Sequence, residues 1–310
     1  MPDTGLHDSE LLPLRPQKAI CMKVSGFTFI RNAEIYDYPV VEAIRSILPV
    51  CDEFVVAVGK SDDATLELIA AIDPSKIRII ETIWDDSLRE GGRVLAVETD
   101  KAFQAISADT DWAFYIQGDE VMHEKYLAPV KNAMLKWKDH LEVDGLLFDY
   151  LHFYGSYDYV GTASHWYPHE IRIVRNLKTI YSFRDAQGFR KAENQKLRVK
   201  PADAFMYHYG WVKDPQAMQR KQENFNKLWH PDQWIEKNVA KADEFDYSGI
   251  TALRLFDETH PAVMLDRIQR KNWKFDFDIS YSNMSIKDRL KLFLRKYLGI
   301  ETGYRNYIKI

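Results

Sequence analysis

The sequence predicts an α/β fold: a mostly parallel sheet flanked by helices, followed by a helical C-terminal extension. Three observations predict it. Apolar, β-rich runs alternate with helical patterns at short intervals over residues 22–138, the spacing of βαβ units. One run, residues 53–59 (EFVVAVG), is almost continuously apolar, as a strand buried on both faces must be. The chain has 310 residues, enough for one large α/β domain and an appended helical part.

Each element has its own signal. Residues 22–30 (MKVSGFTFI) read as the first strand, and Pro39 suits the first turn of a helix whose apolar stripe is Val40, Ile44 and Ile47/Leu48. After the strand at 53–59, Ser61, Asp62 and Asp63 offer caps for a helix carrying Leu66, Ile69 and Ile72. Residues 76–84 form a third strand, 94–106 a helix, and 112–117 a fourth strand. A helix follows at 123–138. The pattern then changes: 145–155 and 169–176 read as strands of a mixed or antiparallel extension, and 177–212 as irregular. Residues 214–240 read as helical, 250–265 as helix, turn and helix, and 285–298 as a final amphipathic helix. The domain organisation expected is a flexible tail (1–18), an α/β domain (19–212) and a helical extension (213–310).

Composition excludes several classes. Hydrophobic residues are 46% and charged residues 28% of the chain, ordinary for a soluble globular protein. The net charge of -4 argues against a nucleic-acid partner. The two cysteines, Cys21 and Cys51, form no C-x-x-C motif, which favours a reducing compartment. The first twenty residues lack the apolar core of a signal peptide, and no apolar run approaches the roughly 18 residues of a membrane span. The expectation is a cytoplasmic protein, at most peripheral to the inner face of a membrane.

In parallel α/β sheets, ligands bind outside the carboxyl ends of the strands. The polar residues there are Arg31-Asn32, Lys60 to Asp63, Trp84 to Asp86, and Gln117 to Glu120. The last group ends an apolar strand in adjacent carboxylates, Asp119 and Glu120, which are costly unless they meet solvent, a cation or a partner. A divalent cation takes oxygen ligands, and a diphosphate needs its charge neutralised. The alternative role for such acids is to cap the helix that follows. Gly91-Gly92 permits close backbone approach at a helix start, and Arg93 is suited to pair with phosphate.

The order of strand, Arg31-Asn32-Ala33, helix, strand, Asp-rich turn at 59–65 (GKSDDAT), helix, strand, helix and Ile116-Gln-Gly-Asp-Glu120 resembles the nucleotide-binding half of family 2 glycosyltransferases. The similarity covers roughly residues 22–212 and is nearest to bacterial enzymes of surface-polysaccharide assembly. It implies a GT-A-like (Rossmann-like) fold and transfer of a sugar from a nucleotide-diphosphate donor to a carbohydrate or lipid-linked carbohydrate acceptor, by inversion and with Mn2+ or Mg2+. Donor contacts are implied at Arg31, Asn32, Asp62, Asp63, Asp85 and Arg93, and at Gln117, Gly118 and Asp119, where the family carries a D-x-D triplet. Asp119 keeps the metal-binding acid of that triplet. Gln117 departs from it, an amide that donates and accepts hydrogen bonds without charge. The resemblance also implies a late histidine as second metal ligand, for which His208 has the best context of the nine histidines.

Inverting transfer needs a base for the acceptor hydroxyl. The candidates after the metal motif are Asp185, Glu170 and Asp149, with Asp185 and then Glu170 favoured. Arg172 and Arg175 alternate beyond Glu170 on one strand face and are suited to hold a diphosphate or a substrate acid; a bridge from Glu170 to Arg172 is the structural alternative. The aromatic stretch 151–168, with His152 and His165, either flanks an acceptor or packs the sheet extension. The basic helix at 285–298 either lies on an anionic membrane or packs on the domain. Two other functions compete: a non-catalytic nucleotide- or carbohydrate-binding protein on the same scaffold, which Gln117 favours, and a sugar-phosphate nucleotidyltransferase, which the absence of a Gly-rich basic loop after the first strand disfavours. No G-x-G-x-x-G follows that strand either, so a dinucleotide-binding dehydrogenase is not supported.

Overall fold

The structure, a computed structural model, describes residues 22–88, 90–239, 241–300, 302 and 304–310. The tail expected at 1–18, and Cys21, lie outside the described residues. Strands β1 (Val24–Ile30), β2 (Glu53–Gly59), β3 (Ile77–Thr82) and β4 (Trp112–Tyr115) run parallel, in the spatial order β3-β2-β1-β4. Helices α1 (Val40–Ile47), α2 (Thr65–Ala70) and α3 (Arg93–Ala105) lie between them in sequence. This is a Rossmann-like α/β fold, and the N-terminal half of the sheet is the parallel half.

Side-chain alternation along the strands sorts the core into two layers. Phe54, Val56, Val58, Trp112 and Phe114 pack with α1 and α4 (Leu127–Trp137) on one face. Val55, Ala57, Ala113 and Tyr115 face α3 on the other, together with Phe27 and Phe103. Each such buried large apolar side chain contributes roughly 1.5–3 kcal/mol. The run at 53–59 is continuously apolar because both of its faces are covered.

Past β4 the sheet is mixed, through β5 (Glu120–Met122), β6 (Gly145–Tyr154), β7 (Ser156–Gly161), β8 (His169–Arg175), β9 (Ile180–Phe183), β10 (Gly188–Lys191) and β11 (Gln195–Trp211). β8 is antiparallel to both β4 and β6, and β11 runs parallel to β6 and antiparallel to β5. Residues 177–212, expected to be irregular, are therefore largely strand. The physical reason is a break in period: Leu197 and Val199 point into the core, burial resumes out of step at Ala202, Ala204 and Met206, and the pairing with β6 shifts between Pro201 and Phe205, where Asp203 has φ 54. A bulge of this kind breaks the two-residue alternation by which a strand is read.

The rest of the chain holds α5 (Pro215–Lys227), α6 (Asp232–Asn238), β12 (Leu253–Leu255), α7 (Leu265–Gln269), α8 (Ile286–Leu298) and β13 (Tyr307–Lys309). β12 corrects the helix expected from residue 250: this segment pairs with β7 at the sheet edge and is too short to show a period. β13 returns to pair with β11. The aromatics of 153–159 pack the sheet extension: Phe153, Tyr154, Tyr157 and Tyr159 are buried among Tyr209, Met218 and Met264.

One buried ion pair joins these parts. Glu120 and Arg172 are both completely buried, and Arg172 donates through Nε at 2.8 Å and Nη2 at 2.7 Å to the two carboxylate oxygens. The Tyr150 hydroxyl and the Gln117 backbone N–H donate to the same carboxylate, at 2.7 and 3.1 Å. Nη1 of Arg172 donates to the carbonyls of Ile171 and Gln187. Arg172 thus holds the protein together and is not free to hold a ligand. Arg175 is likewise spent on the carbonyls of Trp137, Lys138, His140 and Val143. Removing one partner strands the other as an unpaired buried charge, so Arg172→Met is expected to cost about 3–5 kcal/mol. Urea unfolding checks this; a loss under about 1 kcal/mol, the value of an exposed pair, would refute it.

Candidate active site

A cleft of about 220 Å³ opens at the carboxyl ends of β1 and β4. Seven of the residues singled out in the sequence line it: Arg31, Trp84, Gln117, Gly118, Asp119, Asp185 and His208. Tyr36, Tyr38, Trp211, Lys221 and Phe225 help to complete its walls.

Strand register brings His208 beside Asp119. β11 lies between β5 and β6, and His208 is paired with Glu120 on one side and His152 on the other. The Tyr209 N–H donates to the Asp119 carbonyl at 2.8 Å, which fixes the turn that carries the acid. His208 Nε2 stands 3.8 Å from Asp119 Oδ1. Gly210 makes room for this approach: a Cβ there would lie 2.6 Å from His208 Nε2 and 2.8 Å from Asp119 Oδ2.

A hydrogen-bond chain sets the histidine tautomers. The Tyr167 carbonyl lies 2.8 Å from His152 Nε2 and can only accept, so that nitrogen carries the proton. His152 Nδ1 then accepts from His208 Nδ1, 3.1 Å away. Burial pushes His152 down to about 3 and lowers His208 as well, so both rings are neutral at neutral pH. His208 Nε2 is left with a bare lone pair directed at the carboxylate.

The Asp119 carboxylate is strongly held in its charged form. Burial alone would raise its pKa, but the charge of Lys221 and its hydrogen bond, with Lys213 close by, outweigh burial and keep it well below the usual carboxylate range. Lys221 Nζ donates to Asp119 Oδ2 at 3.1 Å and to the Gly210 carbonyl at 2.8 Å. Lys213 is fully buried, donates to the Asp37 carbonyl, and lies 4.7 Å from the Tyr38 ring centre. Burial, then Lys221, lowers its pKa to about 7.

These groups pass a test of fit for a divalent cation in kind. A carboxylate oxygen and an imidazole lone pair face one another across a space that any Cβ at 210 would fill, and both are suitable donors. Among the described residues no group of three or more His, Cys, Asp or Glu forms a metal cluster. Among the described residues Asp119 and His208 are the donors that face this space, and further ones would have to come from a bound ligand and water.

Gln117 has a structural reason to be an amide. Its Nε2 donates to the Ala186 carbonyl at 3.1 Å, which ties the β4–β5 turn to the β9–β10 loop. An ionised aspartate at 117 has no proton for that carbonyl. Asp185, in the same loop, sits where the cleft meets a second cavity lined by Arg93, Asp100, Tyr181, Arg184 and Trp229. Its Oδ1 is buried without a hydrogen-bond partner, and burial raises its pKa. Elsewhere in the cleft wall, the Arg31 guanidinium lies over Trp84, 4.2 Å from the ring centre, and donates to Asp86 at 2.9 Å.

Other expected residues lie off the cleft. Asn32 and Asp62 bond one another, Asn32 Oδ1 accepting from the Asp62 N–H at 2.8 Å, and Asp63 accepts from the N–H groups of Glu34 and Ile35. They brace the two loops after β1 and β2. Asp85 closes an exposed turn on Ser87, and Arg93 faces the second cavity. Asp149 pairs with His169. Glu170 is buried, accepts from Gln187 Nε2 at 3.2 Å, and lines neither cavity; its expected partner Arg172 is committed to Glu120. The sequence reading missed Lys213, Lys221 and Tyr38. No local motif marks the two lysines; only the fold carries them to Asp119 from about a hundred residues away.

No family model and no curated protein matches the chain. Solved structures match at low identity. A glucosyl-3-phosphoglycerate synthase from Mycobacterium tuberculosis, crystallised with Mn2+, uridine diphosphate and phosphoglyceric acid, is 17% identical over 42% of this chain and 43% of its own, with a TM-score of 0.29. TarS of S. aureus (residues 1–349) is 14% identical over 72% of this chain and 67% of its own, with a TM-score of 0.38. A 4-diphosphocytidyl-2C-methyl-D-erythritol synthase from Anaerococcus prevotii is 12% identical over 62% and 92%, with a TM-score of 0.35. The chain spans less than half the length of the first of these. At such identities no residue role is carried over from them.

Glu170 yields a pH prediction. Burial raises its pKa from 4.5 to about 7. A raised carboxyl contributes stability that is complete below about pH 4.5 and is lost as pH rises through 7. Glu170→Gln removes this dependence, so the variant should gain stability relative to the parent between about pH 5 and about pH 8. Thermal unfolding at the two pH values checks it; a constant difference would count against the assignment.

Proposed function

We propose that the protein is a glycosyltransferase of the family 2 type, moving a sugar from a nucleotide-diphosphate donor to a carbohydrate acceptor. The observation that carries the proposal is the facing pair Asp119 and His208, backed by Lys221, in a cleft at the carboxyl ends of parallel strands. A diphosphate brings several negative charges, and this is where a cation and an ammonium group would offset them. The Arg31–Trp84 stack offers a planar, cationic wall for the nucleoside part of the donor.

Asp119 Oδ1 and His208 Nε2 would hold a divalent cation, Mn2+ or Mg2+, which when bound would act as a Lewis acid on the departing diphosphate. Asp185 is the proposed base. Its carboxylate takes the proton of the acceptor hydroxyl, the hydroxyl oxygen bonds to the anomeric carbon, and the bond from that carbon to the diphosphate oxygen breaks with its electron pair leaving on the diphosphate. A raised pKa suits this role, because a stronger base takes the proton more readily. Attack opposite the leaving group inverts the anomeric centre. Lys221 remains on the leaving-group side as a fixed positive charge. The acceptor would approach from the second cavity, which meets the cleft at Asp185.

A second reading, a binding protein without turnover, rests on one observation: Lys221 already neutralises Asp119 within the protein. Calorimetry with UDP, GDP, CDP and dTDP, each with and without Mn2+, separates the readings when joined to a donor-turnover assay. Metal-dependent binding of one nucleotide that is lost in Asp119→Ala, together with turnover of its sugar conjugate, is the expected outcome. Binding without turnover favours the second reading, and affinity unchanged in Asp119→Ala overturns the ligand assignment. Asp185→Asn should retain nucleotide affinity and lose transfer by about 10²–10⁴-fold, the usual contribution of a general base.

A further inference from the structure

α8 inverts the usual arrangement of a surface helix. Amphipathic helices normally turn the apolar stripe to the core. Here Ile286, Leu290, Phe293 and Tyr297, spaced to fall on one stripe, are 87%, 56%, 53% and 63% exposed, and no residue of the helix is buried. The other side of the helix meets the domain instead: Leu292 is half-buried there, and Asp288 accepts from the hydroxyl of Ser164 besides that of the helix's own cap, Ser285.

Charge identifies what covers the stripe. Five basic side chains against the single acid Asp288 give residues 286–298 a net charge of +4, in a chain whose total is -4. Lys287 and Lys291 fall on one flank of the apolar stripe and Arg289 and Lys296 on the other. A second copy of this chain would bring the same positive charge against itself. An anionic bilayer meets both halves of the pattern: acyl chains take the stripe, and lipid headgroups take lysines and arginines that reach outward from its edges. Among the described residues no helix is long and apolar enough to cross a membrane, so the contact is one of lying on the surface.

We infer that α8 docks the protein on an anionic lipid surface, with Ile286, Leu290, Phe293 and Tyr297 inserted at the headgroup boundary. The inference does not depend on the glycosyl-transfer reading. The docked helix adjoins the cleft through the loop it grips: Ser164 belongs to the segment whose Tyr167 carbonyl sets the His152–His208 pair.

The test is co-sedimentation of the full chain with vesicles of mixed phosphatidylglycerol and phosphatidylcholine, against vesicles of phosphatidylcholine alone. Binding to the anionic vesicles that weakens with added salt is expected. The triple variant Lys287→Gln, Lys291→Gln, Lys296→Gln should bind roughly 100-fold more weakly, and Leu290→Ser with Phe293→Ser should abolish binding. All five positions lie on a helix without buried residues, so melting temperatures should not change. No binding, equal binding to neutral vesicles, or equal binding by the triple variant would each overturn the inference. So would self-association without lipid that Phe293→Ser abolishes, since the stripe would then belong to a second copy.

Discussion

The Glu120–Arg172 pair is the constraint on which the cleft depends. It lies under the cleft floor and fixes parts of the chain that are far apart in sequence. Through Glu120 it holds the turn that carries Gln117, Gly118 and Asp119. Through Arg172 it holds the carbonyl of Gln187, and so the loop that carries Asp185. Burying two charges is expensive, and a well-packed apolar pair would often be as stable. What the pair adds is direction: one bidentate pair of bonds, a tyrosine hydroxyl and two carbonyls fix how β5, β6 and β8 meet. The Gln117 amide repeats the link nearer the surface, joining the same two loops through Ala186.

On that floor the site is electrostatically pre-set. Asp119 is ionised before any ligand arrives, because Lys221 and Lys213 have been brought close to it in a region that water scarcely enters. The histidines are neutral for the opposite reason, burial without a charged partner strong enough to offset it. The result is a carboxylate and an imidazole lone pair side by side, with positive charge behind them. A cleft of this kind favours a ligand that carries both negative charge and a cation, and it needs little reorganisation to receive one.

Most of the framework was legible in the sequence. The parallel half of the sheet follows from continuous apolar runs separated by helical periods, and these patterns survive folding because both faces of β2 are covered. Arg31, Trp84, Gln117, Gly118 and Asp119 were legible because carboxyl ends of parallel strands are where ligands sit; His208 and Asp185 were reached only through the family resemblance and the need for a base. β11 was not, since its bulge near Asp203 breaks the alternation, and so the strand that delivers His208 was read as irregular. Asp62 and Asp63 show the converse difficulty. An acid after a strand can face a ligand or tie two loops together, and it is the folded chain that turns the oxygens of Asp63 to the N–H groups of Glu34, Ile35 and Thr65. Glu170 illustrates burial: alternation along β8 marks it as facing one way but not that the face is closed.

The long strand β11 then explains why the two halves of the molecule meet at one point. It is parallel to β6 and antiparallel to β5, so it passes the end of the parallel half while belonging to the mixed half. Its register shifts again between His208 and Trp211, and that second irregularity lets Gly210 pass close to Asp119 while its carbonyl receives Lys221. A regular strand with a side chain at 210 would drive a Cβ into both His208 and Asp119. The local departure from ideal strand geometry near Asp203 that hid β11 from the sequence pattern is thus matched, seven residues on at Gly210, by the one that makes room for the cleft's two facing donors.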